Sequence, residues 1–192
     1  WFDRHPLAFQ SELEAVRTLC GRAAPGLEIG VGSGQFAAPL GIRYGIDPSP
    51  KMLRRARRRN IRVALAVAEA LPFPAGTFRL ALIVTTICFV DDVPRTLSEA
   101  RRVLTPDGRL VIGFIDKTSP LGRRYQEHKE ANPFYRDATF VSTRELVNSL
   151  REAGFSDCST VQTLFRPVEH LRETQPVREG YGEGSFVVVR AE

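Results

Sequence analysis

Glu28, Gly30, Gly32 and Gly34 stand at alternate positions in the run Leu-Glu-Ile-Gly-Val-Gly-Ser-Gly, and Asp47 follows nineteen residues after Glu28. Leu27, Ile29 and Val31 are strand formers, and the glycines let the backbone turn sharply and lie close under a ligand. Asp47 comes directly after a second short apolar run, 42–46, where a carboxylate can accept hydrogen bonds from the vicinal hydroxyls of a ribose. A glycine turn followed by such an acid suits a nucleoside-containing cofactor. The turn alone does not say which one. Counted from Gly32, the series Gly32, Gly34, Ala37 is also an allowed dinucleotide fingerprint, but Asp47 then falls only fifteen residues from its first glycine. Glu28 is left without a role in that reading.

These residues need elements to hold them. Strand-like and helix-like segments alternate along the chain, which favours an α/β domain built on a mostly parallel sheet. Apolar spacing predicts a leading helix over 7–22 and strands over 26–31, 42–46, 61–67, 80–85 and 109–115. Helices are expected over 34–40, 49–60 and 93–104. Ser49 reads as an N-cap with Pro50 at the first helical position. Ser142 and Glu145 have the spacing of a capping box, opening a helix that ends at Gly154. Two late strands, 156–164 and 185–190, complete the set.

With 192 residues the chain is long enough for one well-buried domain, 1–192, and short for two. The segment 116–141 breaks the alternation with Asp116, Tyr125, His128, Phe134, Tyr135 and Phe140. An insertion after a late strand commonly lies at the ligand-binding edge, so 116–141 is expected to be a substrate lid. Trp1, Phe2 and Phe9 offer a second wall from the N-terminal side.

Composition narrows the function. No apolar run reaches the ~18 residues that span a bilayer, and no signal peptide is visible. Cys20, Cys88 and Cys158 are odd in number and far apart, and His5, His128 and His170 show no ligand spacing, so no disulfide framework or metal is expected. A reducing, cytoplasmic setting fits this cysteine usage. The net charge of +5 and pI near 9.5 invite a nucleic-acid reading. Lys51, Arg54, Arg55 and Arg58 fall on one face of the helix 49–60, opposite Met52, Leu53 and Ala56, which equally describes a solvated face on an amphipathic helix. Without an aromatic platform for single strands, a nucleic-acid acceptor is the weaker reading.

The order of motifs separates the candidate cofactors. Glu28-x-Gly30-x-Gly32-x-Gly34, followed by Gly45-Ile46-Asp47-Pro48-Ser49 and Met52-Leu53, resembles the first two motifs of the class I S-adenosylmethionine-dependent methyltransferases. Ala68-Glu69-Ala70-Leu71-Pro72-Phe73-Pro74 resembles that family's adenine-side loop, and Arg102-Val103-Leu104-x-Pro106-x-Gly108-x-Leu110 its fourth-helix-to-fifth-strand turn. The likeness covers about residues 25–115 in motif detail and is nearest to members that methylate small molecules such as quinone precursors and amines. Two positions depart from the pattern: Val67 stands where the family often has an acid before the Ala-Glu pair, and Phe78-Arg79 stands in place of Phe-Asp.

The resemblance implies a Rossmann-like, doubly wound, seven-stranded sheet with an antiparallel last strand and helices on both faces. It implies S-adenosylmethionine as cofactor, S-adenosylhomocysteine as product, and in-line methyl transfer to a small molecule. The implied cofactor contacts are Glu28 at the amino-acid end, Gly30, Gly32 and Gly34 beneath, and Asp47 with Pro48 at the ribose. Met52, Ala68 and Glu69 then border the adenine, and Thr85 faces the methyl-transfer side. Asp116 and His128 are the candidate proton acceptors. The alternatives are an RNA methyltransferase that uses the basic helix and a cofactor-binding regulator without catalysis.

Overall fold

The computed structural model describes residues 1–21, 24–130 and 135–192. Its centre is one sheet in the order β3-β2-β1-β4-β5-β8-β6-β7. The strands are β1 (Gly26–Ile29), β2 (Tyr44–Asp47), β3 (Arg62–Leu65), β4 (Phe78–Val84), β5 (Leu104–Ile115), β6 (Cys158–Thr163), β7 (Arg178–Glu179) and β8 (Phe186–Ala191). The first five run parallel to one another. β8 lies antiparallel between β5 and β6, and β7 pairs antiparallel with β6. The sheet thus has eight strands, one more than expected. β7 is two exposed residues, Arg178 and Glu179, too short and too polar to leave a periodic signal.

Helices cover both faces: α1 (Pro6–Cys20), α2 (Pro50–Arg57), α3 (Val93–Val103), α4 (Pro120–Glu127) and α5 (Thr143–Glu152). The alternation of side chains along each strand divides the core into two layers. Leu27, Ile29, Ala81, Ile83 and Ile112 pack with Leu97, Ala100, Leu146 and Leu150 beneath α3 and α5. Leu80, Leu82, Val84, Val111 and Val188 pack with Ala15, Val16, Leu53 and Ala56 beneath α1 and α2. The capping box at Ser142 and Glu145 forms, and Ser49 accepts from the Met52 amide at 3.4 Å.

Some expected elements differ. Residues 34–40 form a run of turns and no regular helix, with Ala38 bonded to Gly34 at 3.2 Å and Gly41 to Ala38 at 3.1 Å. Pro39 has no N–H to continue an α-helical ladder there. The basic helix stops at Arg57 and closes in a turn in which Asn60 adopts a left-handed φ of 61°. Helix α4 lies inside the insertion, where mixed polar and aromatic residues concealed its period. The strand over 104–115 includes the tight 105–108 segment as an irregularity: Phe78 pairs with Leu104, but Leu80 pairs with Arg109.

Three features fix the site. β1, β2, β4 and β5 end at one edge, so Gly30, Asp47, Thr85 and Asp116 all emerge there. The strand order reverses between β1 and β4, which opens a crevice at the carboxyl ends of the strands. Helix α1 packs across β5, β6 and β8 and brings its first turns to the same edge.

Candidate functional site

The glycine turn leaves β1 with Gly30 at φ 75° and Gly32 at φ 51°, both left-handed. Gly30 is required by packing as well, since a Cβ there would lie 2.3 Å from Cγ2 of Thr86. Gly32 differs: nothing lies within 4 Å of where its Cβ would point, so the turn presents bare backbone to open space.

Asp47 ends β2 facing this turn. Its Oδ2 accepts from the Gly32 amide at 2.9 Å and its Oδ1 from the Ser49 amide at 2.8 Å. The two bonds lock the carboxylate in place while each oxygen keeps further lone-pair capacity, which is what a pair of ribose hydroxyls needs. Pro48 is exposed beside it, and Met52 is half-buried on α2.

Glu28 lies in the middle of β1, 2% exposed, and its Oε2 is buried without a hydrogen-bond partner. Burial drives its carboxyl well above the ordinary range, against a bond from the Ala37 amide that lowers it, while the Asp47 charge pushes it further up. An orphaned acceptor under the turn, an open surface at Gly32 and an oriented Asp47 together fit a nucleoside-bearing cation such as S-adenosylmethionine.

The other expected contacts divide. Ala68 is buried in the loop that follows β3. The Glu69 carboxylate accepts from the Asp91 amide at 2.8 Å and the Asp92 amide at 3.3 Å, so it ties two loops together. Asp116 is similarly occupied. Its Oδ1 accepts from the amide and hydroxyl of Thr118 at 2.7 and 2.6 Å, and its Oδ2 from those of Thr143 at 2.8 and 2.6 Å. Burial pushes this carboxyl up, but the bonds from Thr118 and Thr143 outweigh it and hold the group below its ordinary range. The arrangement clasps the end of β5 to the start of α5. His128 is exposed at the end of α4, with Nδ1 2.9 Å from the Arg124 carbonyl, and is not among the residues lining the cavity described next.

Beside the turn is a cavity of about 360 Å³ whose walls include Thr85, Ile87, Cys88, Phe114 and Ile115. Thr85 is exposed and adopts φ 51°, a conformation costing a β-branched residue about 1–2 kcal/mol. Its amide is held by the Gly113 carbonyl at 2.8 Å. The bend sends Thr85 into the cavity and Thr86 back over Gly30.

Aromatic rings from three parts of the chain complete the walls. Trp1 and Phe2 come from the N-terminal side, where Phe9 backs Phe2 at 5.0 Å and Phe36 at 5.3 Å. Tyr125, Tyr135 and Phe140 come from the insertion, with Tyr125 and Tyr135 stacked 4.7 Å apart. Phe134, another expected lining residue, lies outside the described residues.

Sequence reasoning passed over Glu12, which also lines this cavity. A signal was present: Glu12 interrupts the apolar stripe of α1 between Ala8 and Ala15, Val16 and Leu19, at helical spacing. It is 3% exposed, and burial pushes its carboxyl up to about 8.

Among the described residues no cluster of three or more His, Cys, Asp or Glu side chains could hold a metal, and no helix is long and apolar enough to cross a membrane. A methyltransferase-domain family model matches residues 27–112. A Thermotoga maritima protein, described as a SAM-dependent methyltransferase, possible histamine N-methyltransferase, is 49% identical with a TM-score of 0.97, covering 100% of this chain and 92% of that one. An uncharacterized Methanocaldococcus jannaschii protein is 41% identical over 192 residues, 100% of this chain and 93% of the relative. A demethylmenaquinone methyltransferase of Tropheryma whipplei is 39% identical over 156 residues, 77% of this chain and 59% of the relative.

Proposed function

The chain belongs to the class I S-adenosylmethionine-dependent methyltransferases, and from that premise we propose that it methylates a small molecule in the aromatic cavity beside Thr85. The observation that carries this reading is the cavity itself. About 360 Å³ of space at the strand ends next to the glycine turn is the volume of a small-molecule site.

When bound, S-adenosylmethionine supplies a methyl group made electrophilic by its sulfonium, open to in-line displacement by a nucleophile. The chain's task is then placement and exclusion of water, which can contribute on the order of 7–11 kcal/mol. Asp47 receives the ribose hydroxyls with Pro48 alongside, and Glu28 faces the amino end, directly or through water. Gly32 leaves the floor open, while Gly30 and Gly34 let the turn pack closely against Thr86 and Ile61. Met52 and Ala68 flank the adenine, and Glu69 supports that wall by fixing the loop at Asp91 and Asp92. Thr85 borders the reacting centre, and the insertion 116–141 covers the acceptor. Asp116 contributes by joining the end of β5 to the start of α5, the two ends between which the insertion runs.

One observation favours a second reading. The exposed arginines of α2 and the turn after it, Arg54, Arg55, Arg57, Arg58 and Arg59, form a basic surface suited to RNA. Incubation with methyl-labelled cofactor, a metabolite fraction and bulk RNA distinguishes the two. Label in a small molecule is expected. Label confined to RNA, with binding that falls steeply with salt, overturns the small-molecule reading, and cofactor binding with no transfer to either fraction marks a regulator.

A further inference from the structure

We propose that Glu12 is the acceptor-binding group of the aromatic cavity and that the acceptor is an amine entering as its ammonium. The inference rests on the reading that this cavity is the acceptor site.

Glu12 sits on the inner stripe of α1 with the buried, apolar Ala8, Ala15 and Val16 one turn away on either side, and the buried Ser11 beside it is committed to the Leu7 carbonyl and the Gln175 amide. No hydrogen bond or ion pair to its carboxyl is formed among the described residues. Glu14, two residues on, is exposed and paired with Arg17. A carboxyl held against apolar walls without a partner is costly, and it is retained most simply where a ligand brings the missing charge. The surroundings point to a cation. Trp1, Phe2, Phe36, Tyr125 and Tyr135 line the same space, and the negative faces of such rings attract ammonium groups.

Arg4 also borders the cavity and would suit an anionic acceptor. It is exposed to water, whereas Glu12 is not, so its charge needs no ligand. The buried group decides the preference.

The other titratable groups on the walls leave Glu12 as the proton acceptor. Burial raises the Cys88 thiol to about 12 and holds the Tyr125 and Tyr135 phenols above their ordinary range. Glu12, raised to about 8, is the wall group that titrates near neutrality. In the step this permits, the ammonium N–H passes its proton to the Glu12 carboxylate. The freed nitrogen lone pair forms the C–N bond to the methyl carbon as the C–S electron pair goes to sulfur. The product nitrogen carries the positive charge that the sulfonium loses, and the proton on Glu12 leaves to solvent.

The test compares three ligands of one shape and different charge: 2-phenylethylamine, phenylacetate and 2-phenylethanol. Each is titrated calorimetrically into the full chain with S-adenosylhomocysteine, and each is offered as acceptor with labelled S-adenosylmethionine. The amine is expected to bind best and to be the one labelled. Glu12→Gln is expected to weaken amine binding at least tenfold without altering binding of S-adenosylhomocysteine or 2-phenylethanol, and Glu12→Asp to restore part of the loss. Amine binding should also rise with pH through the range in which Glu12 ionises. A preference for phenylacetate, for 2-phenylethanol, or for none of the three overturns the assignment, as does equal weakening of all three by Glu12→Gln. Should S-adenosylhomocysteine itself fail to bind, the reading of the site falls and not merely the choice of acceptor.

Discussion

Replacing Glu12 by glutamine should make the protein more stable, and increasingly so as pH rises. A carboxyl raised from 4.5 to about 8 on folding is protonated in the native state while the unfolded chain ionises it. The native state keeps its full contribution from this site below pH 4.5. Between 4.5 and 8 the unfolded chain releases the proton first, and stability falls with pH through that window. The whole shift corresponds to about 5 kcal/mol, of which about 4 kcal/mol is already lost at pH 7.5. Glutamine has nearly the same shape and no proton to lose, so this decline disappears. Urea unfolding of both proteins at pH 5, 6.5 and 8, without ligand, measures it directly. The gap in unfolding free energy should widen at each step in favour of the variant. A gap that stays constant from pH 5 to 8 would refute the desolvation argument, because it would mean that the carboxyl is hydrated in the folded state.

Three further outcomes are expected. Asp47→Ala should weaken S-adenosylmethionine binding more than 100-fold by calorimetry, because two charge-assisted bonds to ribose hydroxyls contribute about 1.5–3 kcal/mol each. Asp116→Ala should cost about 2–4 kcal/mol in urea unfolding, since it strands the buried amide and hydroxyl donors of Thr143 and removes the acceptor of the exposed Thr118. The wild-type contribution of Asp116 is present above its unfolded midpoint of 3.8 and disappears as pH falls through its lower folded value, so the deficit should shrink in acid. Gly30→Ala should destabilise by about 2–5 kcal/mol through its left-handed backbone and the clash with Thr86, whereas Gly32→Ala should cost only about 1–2 kcal/mol yet weaken cofactor binding. Thermal unfolding with and without S-adenosylhomocysteine separates the two glycines.

The cofactor half of the site was legible because its information is local. Glu28, the glycines and Asp47 fall within two adjacent strand–turn units, so residue type plus spacing was enough to foresee that they would meet. The parallel order of β1 to β5 followed from the same alternation. The acceptor half depends on contacts between distant segments. Asp116 was placed correctly at the end of a strand, but its commitment to Thr143, 27 residues away, was invisible until α5 was docked. Glu69 was assigned from motif position alone, and its bonds to Asp91 and Asp92 need the loop after β4 in place. Glu12 could have been noticed as an acid on an apolar stripe, yet its significance comes from the rings of Trp1, Phe36 and Tyr125 that surround it only in three dimensions.

Thr85 and Thr86 are covalent neighbours that face opposite ways: one lines the aromatic cavity, and the other seals the space above Gly30, its hydroxyl bonded to the Val84 carbonyl at 3.0 Å. A single peptide unit at the end of β4 thus joins the wall of the cavity to the packing of the glycine turn, and the sheet fixes the separation between the two.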